Sequence, residues 1–543
     1  MRERGAEAAA PGAGRRARLR LRLRVPVVAT AVVIPLYAVW ATLLATGAGD
    51  LSAQLAWAGF TARHPGSAYN LSWYGGAHPA NYSLLTPYLM AWFGVRTVTV
   101  AAGLAGSWLL ALLFVRAGVR RPLWPAVLGS LALWCNVASG RTTFAVGVAI
   151  GLGACLCALG GRSGERAVLT WALLTSVSSA LATMASPVAG LFLAVVGAAC
   201  ALDRQWRPAA ALLLPPALVV AATTWFFPFH GEQPMAPGKL WMPLVACAAL
   251  VLAAPRAWRT LRFGAAVYAV GVVLTFLVAS PVGTNVERLV GLAGPPVLLA
   301  AVLASPGVTG RDRVRRAVLA AVLVVSTGWL VDKTDDDLRV STTVPAWADH
   351  TAGVTAELRR LGADRTRVEV VPARNHREAS VLAPYVHMAR GWNRQLDVER
   401  GRLFYDGTLT PDTYRAWLDR WAVGYVVLHD GRPDGPAEGE AAIVRSRPEW
   451  LEPVWRDAHW TVLRVRDAVP LVDRPARVVA ADQASLRIRL DRPGSVTVRI
   501  AYSPWLRADG GASVGRDGEF VRLTAPGAGE YRLDAPYFTG RLP

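Results

Sequence analysis

Residues 25–60, VPVVATAVVIPLYAVWATLLATGAGDLSAQLAWAGF, contain the stretch that decides how the rest of the chain folds. The first part, 25–46, carries no charge and is long enough to cross the ~30 Å hydrocarbon core of a bilayer as a helix. Its Pro35 is tolerable there, because neighbouring membrane helices can satisfy the freed carbonyl. Asp50 follows four residues later, ahead of a second apolar stretch. We therefore expect a membrane helix that ends just before an acidic residue.

The composition extends this interpretation to the whole chain. Of 543 residues, 53% are hydrophobic and 18% are charged, and the mean hydropathy is +0.31, which argues against a disordered chain and against a soluble enzyme. Ten more apolar segments follow the first, so residues 25–331 are expected to form a polytopic α-helical membrane domain with about 11 transmembrane helices. The expected segments are 25–46, 97–116, 123–138, 142–160, 167–184, 187–202, 209–227, 241–254, 263–280, 289–305 and 317–331.

The net charge of +20 indicates membrane orientation rather than a surface for polyanions. Residues 1–24 hold eight Arg against two Glu, residues 25–331 hold nineteen basic residues against six acidic ones, and residues 332–543 hold thirty-one against thirty. The surplus lies in short clusters between alternate apolar segments, as the positive-inside rule requires, and not on one compact basic face. We expect a multi-pass plasma-membrane protein with a cytoplasmic Arg-rich tail (1–24), an extracytoplasmic C-terminal domain and no nucleic-acid partner.

The segment 47–96 is too long and too aromatic for a simple loop. Its stretches 51–62 and 82–93 are short for a crossing, and counting the second as a span would place every later Arg cluster on the outer side. We expect two interfacial helices in this first outer loop, with aromatic side chains at headgroup depth. These aromatic residues are Trp57, Trp73, Tyr74, Tyr82, Tyr88 and Trp92.

The composition changes after residue 331, at an acidic run that begins with Asp332. Beyond it, short strand-like stretches such as 424–428 (GYVVL) alternate with helix-like ones such as 412–421. From about residue 475, alternating strands such as 485–490 (SLRIRL) are separated by Gly and Pro turns. We expect an extracytoplasmic mixed α/β domain at 332–474 and a small β-rich module at 475–543.

Asp50 is the first candidate for chemistry, because few acidic residues accompany the apolar segments. One interpretation is structural: Asp50 caps the N-terminus of the next helix by accepting backbone N–H groups. The other is catalytic: a carboxylate at the membrane surface can remove a proton from an acceptor hydroxyl as a general base. Position alone does not separate the two.

Three cations on the outer side are candidates for binding a phosphate: Arg141, Arg288 and Lys239. A guanidinium fork suits a phosphate group well. Arg288 has a structural alternative, because it could pair with the adjacent Glu287 or extend to the membrane interface. Arg141 lies in a short turn with no acidic residue near it in sequence, so a structural pair is harder to find for it.

Other outer residues could touch a substrate: His78, His230, Glu232 and Glu287. Glu232 could instead pair with Lys239. No His, Cys or acidic cluster has metal-ligand spacing, so no cofactor is firmly implied, although a divalent metal bound by Asp50 and phosphate oxygens is possible. Nucleotide-binding loops and the hydrolase elbow are absent from the sequence, so the substrate itself or a gradient must supply the energy.

The layout resembles the GT-C superfamily of integral membrane glycosyltransferases, in its actinobacterial, polyprenyl-phosphate-sugar-dependent form. GAGDLSAQLAWAGF after the first helix, the two-helix first loop, the many further spans and the outer C-terminal domain carry the resemblance. So do the stretches HPANYSLLTPYLMAWFGVRT, SPVGTNVERL and ARGWNRQLDVERGRLFYDGTLTPDTYRAWLDRWAVGYVVL. The sequence departs from the pattern in one place, since many relatives have an acidic residue in the second outer loop and residues 139–142 have none.

The resemblance implies transfer of a sugar from a polyprenyl-phosphate donor to a cell-envelope acceptor, a glycan or a lipid, on the outer face. Asp50 matches the family's first-loop carboxylate, which implies a general base in an inverting reaction. Arg141, Arg288 and Lys239 do not match a family motif; we expect them to stabilise the leaving phosphate only because of their predicted position on the outer side.

Two other classes of function remain open. A transporter or flippase would fit the number of spans, although no paired half-length spans and no mid-span acid or base support it. A non-catalytic envelope assembly protein would use the outer domain to bind partners. Convergence of Asp50, Arg141 and Arg288 in one cavity would favour the transferase.

Overall fold

The computed structural model describes residues 11–160, 165–305 and 308–537. Residues 1–10 of the predicted N-terminal tail and the last six residues of the predicted β module lie outside this range. The first part of the chain is helical. Its helices are α1 (Pro11–Val39, continued by a π-helical turn at Trp40–Leu44), α2 (Asp50–Arg63), α3 (Pro79–Tyr82), α4 (Thr86–Phe93), α5 (Val95–Arg116), α6 (Leu123–Ala138), α7 (Thr142–Ala158), α8 (Glu165–Ala185), α9 (Pro187–Leu202), α10 (Trp206–Phe226), α11 (Trp241–Ala253), α12 (Arg259–Leu277), α13 (Arg288–Ala304) and α14 (Gly310–Ser341).

Within the described ranges, seven helices are long and apolar enough to cross a membrane, and four shorter apolar helices accompany them. Each of the eleven predicted segments falls on one of these helices. Large apolar side chains such as Leu169, Leu218 and Leu277 are exposed on the bundle surface, where lipid would cover them. The chain is a multi-pass membrane protein. The number of crossings and their direction stay predictions.

Small residues let the membrane helices approach one another closely. A Cβ atom added at Gly103 of α5 would collide with the ring of Tyr37 on α1. One added at Gly147 of α7 would lie 2.8 Å from the Cβ atoms of Ala189 and Ser186. Close backbone approach through small residues is typical of helix packing in lipid, where apolar burial alone does not drive association.

Helix α14 continues well past the end of the last predicted apolar segment. It runs without a break to Ser341, so the acidic run that begins at Asp332 lies on the final turns of a membrane helix and not in the outer domain. The predicted boundary at 331/332 therefore falls inside a helix. The physical reason is local: residues 329–344 contain no Gly or Pro that would end the helix.

A mixed five-stranded sheet follows, in the order β2-β1-β3-β5-β4. Strands β2, β1 and β3 are parallel, and β5 and β4 are added antiparallel, which agrees with the predicted α/β domain. The elements are α15 (Ala346–Asp349), α16 (Ala352–Arg360), β1 (Arg367–Val370), α17 (Glu378–Val381), β2 (His387–Met388), α18 (Arg394–Arg400), α19 (Pro411–Arg420), β3 (Val423–His429), α20 (Glu438–Ser446), β4 (Leu451–Arg456) and β5 (Trp460–Val465).

The last part of the chain consists of two small antiparallel sheets that share one apolar core. One sheet has the order β10-β11-β8 and the other β6-β7-β12-β9. The alternating stretch 485–490, predicted as a strand, is a strand here. The elements are β6 (Arg477–Ala481), β7 (Ser485–Leu490), β8 (Gly494–Ala501), β9 (Arg507–Ala508), β10 (Ser513–Asp517), β11 (Phe520–Ala525) and β12 (Gly529–Asp534).

The first loop packs against the C-terminal domain. Two of its helices, α2 and α4, lie where the two interfacial helices were expected. The expected depth of Trp57, Trp73 and Tyr74 is wrong, because all three are buried in a core shared with the α/β sheet. Trp92 on α4 remains exposed, as an interfacial side chain should be. Thus α2 is enclosed between two domains, which fixes the position of Asp50 at its start.

Candidate active site

Asp50 is the first residue of α2. The N-cap of this helix is Gly49, with a φ of 60°, and no side-chain hydrogen bond caps it, so the capping role considered for Asp50 is wrong. The Asp50 carboxylate oxygen Oδ2 instead lies 3.3 Å from Nε of Arg141 and 3.8 Å from a terminal nitrogen of Arg288. The Asp50 side chain therefore does not cap the helix, and it faces two guanidinium groups from distant parts of the chain.

Arg141 reaches Asp50 because a glycine lets α2 approach the turn between α6 and α7. Gly140 has a φ of 75°, a conformation that other residues rarely adopt. A Cβ atom at this position would lie 2.7 Å from the backbone nitrogen of Leu51. Only glycine allows the turn before Arg141 to pack directly against the start of α2.

Arg288 begins α13, directly after a 3₁₀ turn at Gly283–Glu287. Its guanidinium carbon lies 5.3 Å from the centre of the Phe144 ring, an arrangement that supports a cation on an aromatic face. The alternative considered for it, a pair with Glu287, is wrong. Glu287 pairs with Lys333 of α14 at 2.7 Å, which leaves Arg288 to approach Asp50.

Asp337 completes the cluster. It lies near the end of α14, accepts a hydrogen bond from the Ser139 hydroxyl at 2.6 Å and pairs with a terminal nitrogen of Arg141 at 3.1 Å. The turn between α6 and α7 thus meets an acidic residue that its own sequence lacks. Sequence analysis missed Asp337 and Lys333 because it ended the last apolar segment at 331. Uninterrupted helical spacing, with 333 and 337 one turn apart, is the signal that could have found them.

A cavity of about 190 Å³ opens beside the Asp50 cluster, between α6, α13 and α14. It brings together all three predicted phosphate-binding cations and Glu287, with Lys333 in addition. Its lining comprises Ala132, Cys135, Asn136, Ser139, Arg141, Lys239, Thr284, Asn285, Glu287, Arg288, Gly291, Leu292, Trp329, Leu330, Lys333 and Thr334.

Two polar side chains of the first loop, Gln54 and Tyr82, lie near Asp50, and Gln54 is one helical turn further along α2. The Gln54 side-chain amide donates a hydrogen bond to the Tyr82 hydroxyl. Burial, and secondarily the Asp50 carboxylate, raises the pKa of Tyr82, so the phenol stays protonated. Its ring stacks on Trp57, with ring centres 6.0 Å apart. A neutral hydroxyl therefore stands near the carboxylate.

The remaining predicted residues lie apart from the cavity or at its edge. His78 is buried between the first loop and the β module, where its ring nitrogens meet the Ala68 carbonyl at 2.8 Å and the Ser503 hydroxyl at 3.0 Å. His230 is exposed. Glu232 lies 3.6 Å from Arg402, so the pair with Lys239 considered for it is wrong. Burial lowers the pKa of His78 to about 4, which marks it as a neutral structural residue.

Over the part of the chain that the structure describes, no three His, Cys, Asp or Glu side chains are grouped closely enough to hold a metal ion. The carboxylates of Asp50 and Asp337 are both turned to Arg141, so each is already neutralised by a protein cation. Chemically, the arrangement places a carboxylate beside two guanidinium groups that line the cavity.

Comparisons with known proteins give one family model and several solved structures. The family model is described as Domain of unknown function (DUF8823) and matches residues 473–516, which lie mostly in the β module. No curated protein sequence matches the chain.

The structure of arabinofuranosyltransferase AftD from Mycobacteria is 14% identical, with a TM-score of 0.43, and the match covers 94% of this chain. This chain spans 57% of the AftD chain. ArnT from Cupriavidus metallidurans in the apo state is 16% identical, with a TM-score of 0.43, over 80% of this chain and 97% of ArnT. ArnT bound to undecaprenyl phosphate is 13% identical, with a TM-score of 0.37, over 85% and 99% of the two chains. The solved structures to which this chain is similar thus include an arabinofuranosyltransferase.

Proposed function

We propose that this protein is a membrane glycosyltransferase that moves a sugar from a polyprenyl-phosphate donor to an envelope glycan or lipid acceptor on the outer face. One observation supports the proposal: Asp50, Arg141 and Arg288, from three distant parts of the chain, meet beside a cavity that the two arginines line. A carboxylate beside two phosphate-binding cations is the pair of functions that sugar transfer from a lipid phosphate needs.

The proposed reaction gives each of these three residues a role. An acceptor hydroxyl attacks the anomeric carbon of the donor sugar and forms the new glycosidic C–O bond, with inversion. The bond from the anomeric carbon to the phosphate oxygen breaks, and its electron pair leaves with polyprenyl phosphate. Asp50 takes the hydroxyl proton and later releases it to water. Arg141 and Arg288 stabilise the extra negative charge that the leaving phosphate acquires.

One oxygen of the Asp50 carboxylate is free to accept a proton, as this role requires. Only its Oδ2 is held by the guanidinium groups; in the described structure no hydrogen-bond donor is assigned to Oδ1. The two arginines thus orient the carboxylate while one oxygen remains open to the acceptor. A donor phosphate would share these guanidinium groups with Asp50, so the base and the leaving group would lie side by side.

Apolar surface for the polyprenyl chain lies close by. A more open groove of about 710 Å³ runs along the other side of α14 and past Leu128 of α6. It is lined mainly by apolar side chains of α14, including Leu323, Val324 and Val331. Both cavities use α6 and α14, so a lipid donor could bury its chain against the same two helices that bind its head.

The test is transfer or hydrolysis of labelled polyprenyl-phosphate sugars by the purified protein. We expect Asp50→Asn to lower the rate by about 10²- to 10⁴-fold, the usual contribution of a general base, with unchanged expression and membrane insertion. Asp336→Asn is the matched control, because Asp336 is exposed and lies on the α14 turn that carries Asp337. Retained activity in Asp50→Asn would rule out Asp50 as the base.

The transporter alternative gives a different result in the same preparation. If labelled lipid moved between the leaflets of sealed vesicles without transfer or hydrolysis of its sugar, a flippase would replace the transferase. An assembly protein would give neither signal.

A further inference from the structure

The cavity beyond the Asp50 cluster contains an ion pair that the proposed reaction does not use. Glu287 and Lys333 lie 2.7 Å apart, and the Glu287 side chain is only 3% exposed. Both line the cavity, together with Arg141 and Arg288 at its mouth. Removing a carboxylate and an ammonium from water costs free energy, and their mutual attraction offsets this cost only when further hydrogen bonds are made. We therefore expect a ligand in the cavity to form hydrogen bonds with this pair.

Free hydrogen-bonding groups surround this pair. Glu287 uses Oε2 for Lys333, and among the described residues no donor is assigned to its Oε1. Lys333 has three donor positions, and Glu287 takes one of them. The side-chain amides of Asn136 and Asn285 also line the cavity, again with no side-chain hydrogen bond in the described part of the chain. The cavity therefore offers donors and acceptors side by side, which is what adjacent hydroxyl groups need.

The size of the cavity limits what can bind. At about 190 Å³ it is smaller than the ~300 Å³ at which pockets for drug-sized ligands begin. One sugar unit is the ligand of the right scale, whereas an oligosaccharide would have to extend out of it. Trp329, whose ring lies 5.1 Å from the Lys333 ammonium, supplies the apolar side of the wall.

The charges of the site restrict the ligand further. Four cations line the cavity, Arg141, Arg288, Lys239 and Lys333, and three carboxylates face them, Asp50, Asp337 and Glu287. The described site thus has a surplus of one positive charge. A phosphodiester carries one negative charge and balances it, so the sugar joined to that phosphate should be uncharged.

We infer that the cavity between α6, α13 and α14 holds a single neutral sugar of the donor, and that Glu287 and Lys333 select it by binding two of its hydroxyl groups. This inference rests on the proposed function. Glu287 accepts from one hydroxyl through Oε1, and Lys333 donates to a neighbouring one. The phosphate lies at the mouth, on Arg141 and Arg288, and the ion pair does not touch it.

The experiment compares donors that share one polyprenyl phosphate and differ in the sugar: a neutral sugar, an amino sugar and a uronic acid. We expect the wild-type protein to prefer the neutral sugar in kcat/KM. We expect Glu287→Gln to lower kcat/KM for it by about 10- to 100-fold, as for a lost hydrogen bond to a charged group. Binding of sugar-free polyprenyl phosphate should not change, because the pair contacts the sugar alone.

A single variant leaves one charge unpaired in the cavity and could unfold the protein. The double variant Glu287→Gln with Lys333→Met removes both charges and keeps the test valid; we expect it to lose the preference among sugars. Its matched control is Glu438→Gln with Arg432→Met, an exposed pair in the C-terminal domain.

Equal loss of affinity for sugar-free polyprenyl phosphate would overturn the inference, because the pair would then bind phosphate. So would an unchanged preference in the double variant. If the wild-type protein transferred and hydrolysed none of the sugars, the proposed function itself would fail, and the inference with it. These outcomes are distinguishable, since only the last one concerns the wild-type protein.

Discussion

At the scale of residues, Arg141 is the centre of the site. It lies between two carboxylates, Asp50 at 3.3 Å and Asp337 at 3.1 Å, and Asp337 is fixed in turn by the Ser139 hydroxyl. Asp337 is linked to Asp50 through Arg141, so we propose that it acts as a positioning residue. A guanidinium held from both sides presents a fixed edge to an incoming phosphate.

We expect Asp337→Asn to lower kcat about tenfold, because the amide keeps the hydrogen bonds and loses the charge-assisted part of the contact with Arg141. Asp337→Glu should recover part of the loss. Steady-state kinetics with a labelled donor measures both, with Asp336→Asn as the neighbour on the exposed side of the helix. A rate equal to that of the wild-type protein would show that Arg141 is positioned by Asp50 alone.

At the scale of elements, two contacts place α2. The first is the glycine turn between α6 and α7, where Gly140 packs against the backbone of Leu51. The second is the C-terminal domain, since Ser52 donates a hydrogen bond to the His376 carbonyl at 2.5 Å and Gly49 donates one to the Asn375 carbonyl at 2.8 Å. Helix α2 therefore cannot shift without disturbing both domains.

Gly140→Ala tests the first contact. The added Cβ would push α2 away from the turn and separate Asp50 from Arg141, so we expect activity to fall by about 100-fold, as for an ångström-scale misplacement. Gly118→Ala is the matched control, because Gly118 also has a positive φ, 69°, but a Cβ there would meet no atom within 4 Å. The same loss in both variants would mean that backbone strain, and not the position of α2, is responsible.

The contact between the first loop and the β module should depend on pH through His78. Burial lowers its pKa from 6.5 to about 4. The unfolded chain binds a proton there below about pH 6.5, whereas the folded chain does not until about pH 4. Stability should therefore be complete above pH 6.5 and fall as the pH drops towards 4, by up to about 3 kcal/mol.

Thermal unfolding of the full chain in detergent between pH 7 and pH 4 measures this dependence. His78→Gln should unfold with a shallower pH slope. Burial also lowers the pKa values of His387 and His429, so part of the slope should remain in the variant. An identical slope in both proteins would exclude His78 as a contributor.

At the scale of the whole molecule, the Arg clusters and the C-terminal domain lie at opposite ends of the helices. The C-terminal domain packs on the loops that follow α1, α10 and α12. Arg clusters, such as Arg256 and Arg259 between α11 and α12, lie in loops at the opposite ends of the helices. The positive-inside rule therefore predicts that the C-terminal domain and the site beneath it lie on the outer side of the membrane.

Accessibility of single cysteines tests this orientation. Ser446→Cys, on the exposed end of α20, should react with a membrane-impermeant maleimide on intact cells. Ala257→Cys, in the exposed loop between α11 and α12, should react only after permeabilisation. The wild-type protein, whose five cysteines lie on membrane helices, gives the background. The reverse pattern would place the site in the cytoplasm.

Local sequence patterns are enough to predict the membrane helices, the α/β and β-rich domains and three residues of the site. The length of an apolar segment, the position of helix-breaking residues and the alternation of apolar and polar residues in a strand are local properties. Each can be recognised from neighbouring residues alone. Asp50, Arg141 and Arg288 could be named because charged residues near apolar segments are few. Their convergence could not be predicted, since it depends on helices packed through small residues.

The acidic and basic residues that complete the site become evident from the packing of distant helices. Asp337 and Lys333 lie almost 200 residues after Arg141 in the chain and reach the same cavity because α14 packs against α6 and α13. Trp57 was expected at the lipid interface, but it lies in a core between two domains. Burial of that kind depends on which domain covers a helix, and no local pattern of residues records it.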